Sequence, residues 1–175
     1  ATATLARSVP PTPGSLRRRV LTDPVSFLAF GAGCGLAPVA PGTVGSLPGL
    51  VLSLSLGERL GMAGSLLFAA VLFAVGIPLC GLCARRIGVH DHPGIVWDEI
   101  TGCFLACALA PAGVVWSVAA FGVFRFFDII KPWPIRELDH GTPGGTGIML
   151  DDAVAALMAA GTLQAARALV TTGWT

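Results

Sequence analysis

Ile100–Phe124 reads ITGCFLACALAPAGVVWSVAAFGVF, twenty-five residues without a charge. Read straight through, it is one apolar helix, and about 20 such residues suffice to cross a bilayer. Glu99 and Asp128 would then lie on opposite faces of the membrane. Pro111 and Gly113 interrupt the run midway, and a proline inside a helix removes a hydrogen bond and crowds the preceding turn. A hairpin turning at Pro111 has arms Ile95–Ala110 and Ala112–Lys131, about 24 and 30 Å long at roughly 1.5 Å per residue. It brings Glu99 and Asp128 to one end, at the inner edge of the bilayer core. The hairpin is the reading adopted here.

The segment after the hairpin makes that choice matter. Arg125–Asp152, RFFDIIKPWPIRELDHGTPGGTGIMLDD, holds three basic and five acidic residues in a chain that is 12% charged. Its Lys131 is the only lysine, Pro132 and Pro134 flank Trp133, and a glycine-rich run leads into Asp151–Asp152. The prolines end the preceding helix, and Trp133 suits a membrane interface. Neither a lipid-facing surface nor an apolar core has use for such a segment. It reads as the mouth of an active site.

Composition sets the surroundings. The chain is 54% hydrophobic with mean hydropathy +0.77, and its charged fraction is far below the roughly 25% of soluble proteins. That points to an integral membrane protein. A net charge of +1, with no basic stripe interleaved with aromatics, argues against nucleic acid as a partner. The 175 residues make one domain, 23–175, behind a flexible arm, 1–22, that ends in Arg17-Arg18-Arg19. Those arginines suit a cytoplasmic tail. Cys80-Gly-Leu-Cys83 has the spacing of half a redox or zinc motif, but no second pair or adjacent histidine accompanies it, so the cysteines read as buried thiols.

Val25–Phe30 reads as a short interfacial helix, and Thr43 or Ser46 caps a helix running to about Leu56. Leu60–Ala84 is an uncharged span bounded by Arg59 and Arg85-Arg86, with Pro78 kinking its end. Ile148–Val170 forms a helix starting near Gly147. The expected fold is all-α: a compact helical bundle, integral to the membrane, with about four membrane-embedded helices.

Five acids carry the chemistry: Asp98, Glu99, Asp128, Asp151 and Asp152, the expected catalytic set. Each lies at a helix terminus, and ionisable groups at membrane depth are costly and usually functional. Mg²⁺ takes hard oxygen ligands, often one or two carboxylates with water and substrate phosphate. Adjacent helical residues point about 100° apart, so one member of each pair faces the site. Glu99, Asp128 and Asp151 are assigned to the metal, with either pair open to reversal. Arg125, Lys131 and Arg136 are the candidate grips for a phosphate. The glycine-rich lead into a helix adds Thr43 and Ser46, where backbone N–H groups can cradle the same anion. The plain alternative is that the acids only pair with these cations and face water. His90-Asp91-His92 is either a general acid or a solvated loop, and His140 beside Asp139 is a loop residue.

Four segments together resemble the bacterial phosphatidylglycerophosphatase A family. They are Phe30–Ser46 (FGAGCGLAPVAPGTVGS), His90–Gly102 (HDHPGIVWDEITG), Phe124–Asp139 (FRFFDIIKPWPIRELD) and Gly144–Asp152 (GGTGIMLDD). The resemblance implies Mg²⁺-dependent hydrolysis of phosphatidylglycerophosphate to phosphatidylglycerol and phosphate at the bacterial inner membrane; Arg85-Arg86 mark the cytoplasmic side, and the site is expected on that face. The partners it implies are that lipid and the bilayer; a homo-oligomer is left open. The rival class is an ion or proton carrier with acids lining a pathway. It requires acids through the membrane depth, and the runs Leu60–Ala84 and Ile100–Phe124 carry none. The DG-x₂-AR pattern of CDP-alcohol phosphotransferases and the SR-x₅-H block of phosphohistidine lipid phosphatases are both missing from the sequence.

Overall fold

Asp23 fastens the first corner. Its carboxylate accepts from the Ser26 N–H at 3.0 Å and the Ser26 hydroxyl at 2.6 Å. This caps helix α2 (Pro24–Ala29) directly after helix α1 (Pro13–Thr22), and Pro24 supplies a backbone already set for a first turn. These bonds from Ser26 hold the Asp23 carboxyl below its ordinary range. Arg86 pairs with Asp23, and Arg19 donates to the Arg86 carbonyl. The structure, a computed structural model, describes residues 13–89, 92–137 and 142–172. Within them the expected flexible arm is replaced from Pro13 onward by helix. The reason is packing, since Val20 is fully buried in the cluster of Phe30, Cys80, Ile87 and Met149. A 3₁₀ segment, Gly31–Leu36, follows α2, with Ala32 and Gly33 in the left-handed region.

Helix α3 (Pro41–Ile87) is 47 residues long and breaks at Gly61, where φ is 63° and ψ −178°. Only glycine enters that region readily. Gly45 lies against Val96, and Gly49 against Ile100 and Phe104. Beyond Gly61 the order reverses: Phe68 meets Phe104 edge to face with ring centroids 5.1 Å apart, Trp97 Nε1 donates to the Leu72 carbonyl at 3.0 Å, and Gly76 meets Trp97 and Met149. Residues 41–60 and 62–87 are therefore two antiparallel arms flanking helix α4 (Trp97–Leu109). The backbone passes through Pro78 in helical conformation, where a kink was expected.

Helix α5 (Val114–Ile130) returns alongside α4, and the Cys107 thiol contacts the Ser117 carbonyl at 3.5 Å. The uncharged run Ile100–Phe124 is thus a hairpin turning through residues 110–113. Helix α6 (Gly145–Thr172) closes the bundle. Gly145 and Gly147 press so closely on the Ile77 and Thr142 carbonyls that a side chain at either would collide. The core between α4, α5 and α6 is built on Cys103, Ala106, Phe124, Ala155 and Ala159.

Every described element is helical, as expected. Among the described residues two helices, α3 and α6, are long and apolar enough to cross a membrane, in place of about four. The hairpin arms account for the difference, because α4 and α5 have 13 and 17 residues, short of the roughly 20 needed. The two separate helices expected before Arg85 are the two arms of α3, divided at Gly61.

Candidate active site

At the end of the bundle away from Gly61, the starts of α3, α4 and α6 meet the end of α5. They enclose a cavity of about 320 Å³ lined by all five expected acids, Arg125, Lys131 and Thr43. Asp98 and Glu99 occupy the first turn of α4, where carboxylates suit the positive end of the helix dipole. Asp128 and Arg125 are one turn apart near the end of α5 and form an ion pair. Arg125 Nη1 also lies 3.9 Å from Glu99 Oε1. Gly42, at the start of α3, covers this chain of charges, and a Cβ there would strike the Glu99 carboxylate and the Arg125 guanidinium. Lys131, in the left-handed conformation that stops α5, holds Asp151 at 2.8 Å.

Asp98, Glu99 and Asp152 each offer a carboxylate oxygen, and the three oxygens lie within 4.8 Å of one another. Glu99 Oε2 and Asp152 Oδ2 are buried with no hydrogen-bond partner among the described residues. Burial, followed by the Asp152 charge, pushes the Glu99 carboxyl up to about 8. Buried polar atoms are rarely left unpaired, and crowded carboxylates with open lone pairs suit a hard divalent cation. Five carboxylates face two cations across the cavity. Of the three residues assigned to a metal from the sequence, Glu99 belongs to this oxygen cluster; Asp128 pairs with Arg125 while also contacting Asp152 at the cluster's edge, and Asp151 pairs with Lys131. On α4 both neighbours, Asp98 and Glu99, reach the cluster where one was expected, whereas on α6 the rotation of the helix sends Asp152 to it and Asp151 to Lys131.

The expected phosphate grips separate in the same way. Lys131, Arg125 and Thr43 line the cavity. Ser46 is fully buried one turn deeper and donates to the Gly42 carbonyl at 2.8 Å. Its hydroxyl serves the helix, outside the cavity lining. Arg136 is exposed and also lies outside that lining. His92 lines a neighbouring groove, with Nδ1 accepting from the Gly94 N–H at 3.0 Å. His90, Asp91, Asp139 and His140 lie outside the described residues. Sequence reasoning missed Gly42; its position in the glycine-rich lead into α3 was the available sign.

A buried carboxylate cluster with open oxygens, set beside an arginine and a lysine, is the equipment of an enzyme that handles phosphoryl groups. Comparison with known proteins agrees. The sequence pattern of the phosphatidylglycerophosphatase A family matches residues 27–167. A phosphatidylglycerophosphatase A of Haemophilus influenzae is 46% identical over 145 residues, covering 82% of this chain and 89% of that protein. The protein of the same name from Escherichia coli K12 is 40% identical over 154 residues, covering 83% and 85%. A putative phosphatidylinositol-3-phosphatase of Bacteroides thetaiotaomicron is 31% identical over 136 residues, covering 74% and 84%. No solved structure is a significant match. The chain belongs to the phosphatidylglycerophosphatase A family, and it is a phosphatase.

Proposed function

We propose that this enzyme hydrolyses the terminal phosphomonoester of phosphatidylglycerophosphate, working from the cytoplasmic face of a bilayer with Mg²⁺ as cofactor. The observation that carries the reading is the convergence of Asp98, Glu99 and Asp152 oxygens within 4.8 Å, beside Lys131. The relatives' names agree in chemistry: each denotes removal of a phosphate from a headgroup that is itself attached to a phosphatidyl unit.

Asp98, Glu99 and Asp152 would hold the cation, which when bound offsets phosphate charge and polarises the phosphoryl group. Lys131 and the Thr43 hydroxyl bind the phosphate oxygens, and the start of α3 aligns its dipole with that charge. Arg125 orients Glu99 and Asp128 by lying between them. Asp128 and Asp151, each paired with an adjacent cation, stand ready to accept the proton of the attacking water. Among the described residues no cysteine lines this cavity, which favours direct attack by water over a thiol nucleophile. Trapping a phosphorylated aspartate during turnover would replace this route with a covalent one.

The outer surface supports embedding in lipid. Leu47, Val51 and Leu54 on one arm of α3, and Leu67, Val71 and Val75 on the other, are exposed large apolar side chains. Soluble proteins rarely present so continuous an apolar face. Arg17, Arg18, Arg19, Arg85 and Arg86 gather toward the end that holds the acidic cavity, and positive charge marks the cytoplasmic side.

The test is release of inorganic phosphate from phosphatidylglycerophosphate in detergent micelles. Activity should vanish with EDTA and return with Mg²⁺. Full activity in EDTA would remove the cation from the reading, and no activity on this lipid under any condition would remove the substrate.

A further inference from the structure

Beside the acidic cavity lies a second, larger groove of about 980 Å³, between α1, the 3₁₀ segment and residues 92–94. The two share walls, since Pro41 and Pro93 line both. Leu16, Leu21, Leu36 and Val44 make its sides apolar, and Arg17 is the cation on its lining. Arg17 is exposed and makes no ion pair among the described residues. The floor is held in an unfavourable backbone: Ala32 has φ 54° and Gly33 φ 97°, and Ala40 at its edge has φ 47°. Non-glycine residues in the left-handed region cost of order 1 kcal/mol or more and persist where surrounding packing enforces them. Among the described residues nothing lies within 4 Å of the position of a Cβ at Gly33, so the floor is open above it.

We propose that this groove is the subsite for the rest of the lipid: Arg17 receives the internal phosphodiester, and the apolar walls receive the first part of the diacylglycerol. The inference rests on the acidic cavity being the phosphomonoester site. A substrate with a terminal phosphate in that cavity must continue somewhere, and the wall shared through Pro41 and Pro93 leads into a space with one cation and apolar sides. Arginine is suited to a phosphodiester because its planar fork donates two parallel bonds to phosphate oxygens. Recognition of the internal phosphodiester would separate this lipid from simple phosphomonoesters that share only the terminal group.

Cys34 provides the reporter. It lines the groove, and it is the one cysteine of the five that is not buried. Dioleoyl phosphatidylglycerol keeps the phosphodiester and both acyl chains but has no terminal phosphate, so it probes the groove without turnover. At about ten times its Kd, this lipid in detergent micelles should slow maleimide alkylation of Cys34 roughly tenfold by mass action. Inorganic phosphate should not, and Arg17→Ala should lose most of the lipid's protection. In kinetics, Arg17→Ala should raise KM for phosphatidylglycerophosphate about tenfold, the scale of one charge-assisted bond, with kcat and KM for glycerol 3-phosphate unchanged. An alkylation rate indifferent to phosphatidylglycerol, or equal KM changes for both substrates, would overturn the groove assignment. Failure of the reaction itself is a separate result, seen as wild-type protein that releases no phosphate from the lipid while Cys34 is still protected.

Discussion

Asp151 and Asp152 are adjacent in sequence yet meet different partners. Asp151 reaches Lys131 at 2.8 Å, while Asp152 faces Asp98 and Glu99. The acids were legible as a group, because charges are scarce in this chain and these fall at helix ends. Their division was not legible. It depends on the rotation of α6, which is fixed by Gly145 and Gly147 seating on the Ile77 and Thr142 carbonyls, contacts that no spacing rule reveals. Two substitutions separate the roles. Asp152→Asn removes a carboxyl group from the oxygen cluster, and the Mg²⁺ concentration for half-maximal activity should rise at least about tenfold, the scale seen for disturbed metal shells. Lys131→Ala should raise KM for the lipid while the Mg²⁺ requirement moves far less. Titrating Mg²⁺ and substrate against both variants checks this, and an exchange of the two patterns would reassign the metal to Asp151.

Among the elements, α3 shows what a single residue can hide. The sequence suggests a helix to about Leu56 and a new span from Leu60, because Glu58-Arg59 divides two apolar runs. The division is real, but it is made by one non-helical residue, Gly61, and a glycine in an apolar run looks the same whether it turns the chain or not. Gly57, one turn earlier, is helical and has only ordinary contact with Ser53. Gly61→Ala should therefore destabilise the protein by about 1–3 kcal/mol, whereas Gly57→Ala should be neutral or stabilising by up to about 1 kcal/mol. Thermal unfolding in detergent distinguishes them, and equal effects would mean that the fold-back does not depend on Gly61. The α1–α2 corner offers a pH test. Asp23 has a lowered pKa in the folded state, so its contribution is present above the unfolded value and lost as pH falls through the folded one. Asp23→Ala should cost about 1 kcal/mol near neutrality, as capping losses do. The gap to wild type should close only in acid below the ordinary aspartate range; a gap that stays constant into that range would remove the carboxylate as its cause.

At the scale of the molecule, orientation joins the fold to the chemistry. The hairpin reading brought Glu99 and Asp128 together from sequence alone, and the bundle carries the same logic to α3 and α6, whose starts also reach the acidic cavity. What the sequence could not supply is which apolar faces point outward, since lipid-facing and core-facing leucines are chemically alike. The reversal at Gly61 puts Glu58 beside the turn that opens the second arm and Arg85 at that arm's far end, and both are exposed. With the arginine-rich end in the cytoplasm, Glu58→Cys faces outward and Arg85→Cys faces inward. In a Cys34→Ser background, an impermeant maleimide applied to intact spheroplasts should label Glu58→Cys at once and Arg85→Cys only after permeabilisation. Labelling of Arg85→Cys alone in intact cells would invert the protein and carry the acidic cavity to the far leaflet. Equal labelling of both before permeabilisation would show that this arm does not cross the bilayer, and the exposed faces of α3 would then need a protein partner in place of lipid.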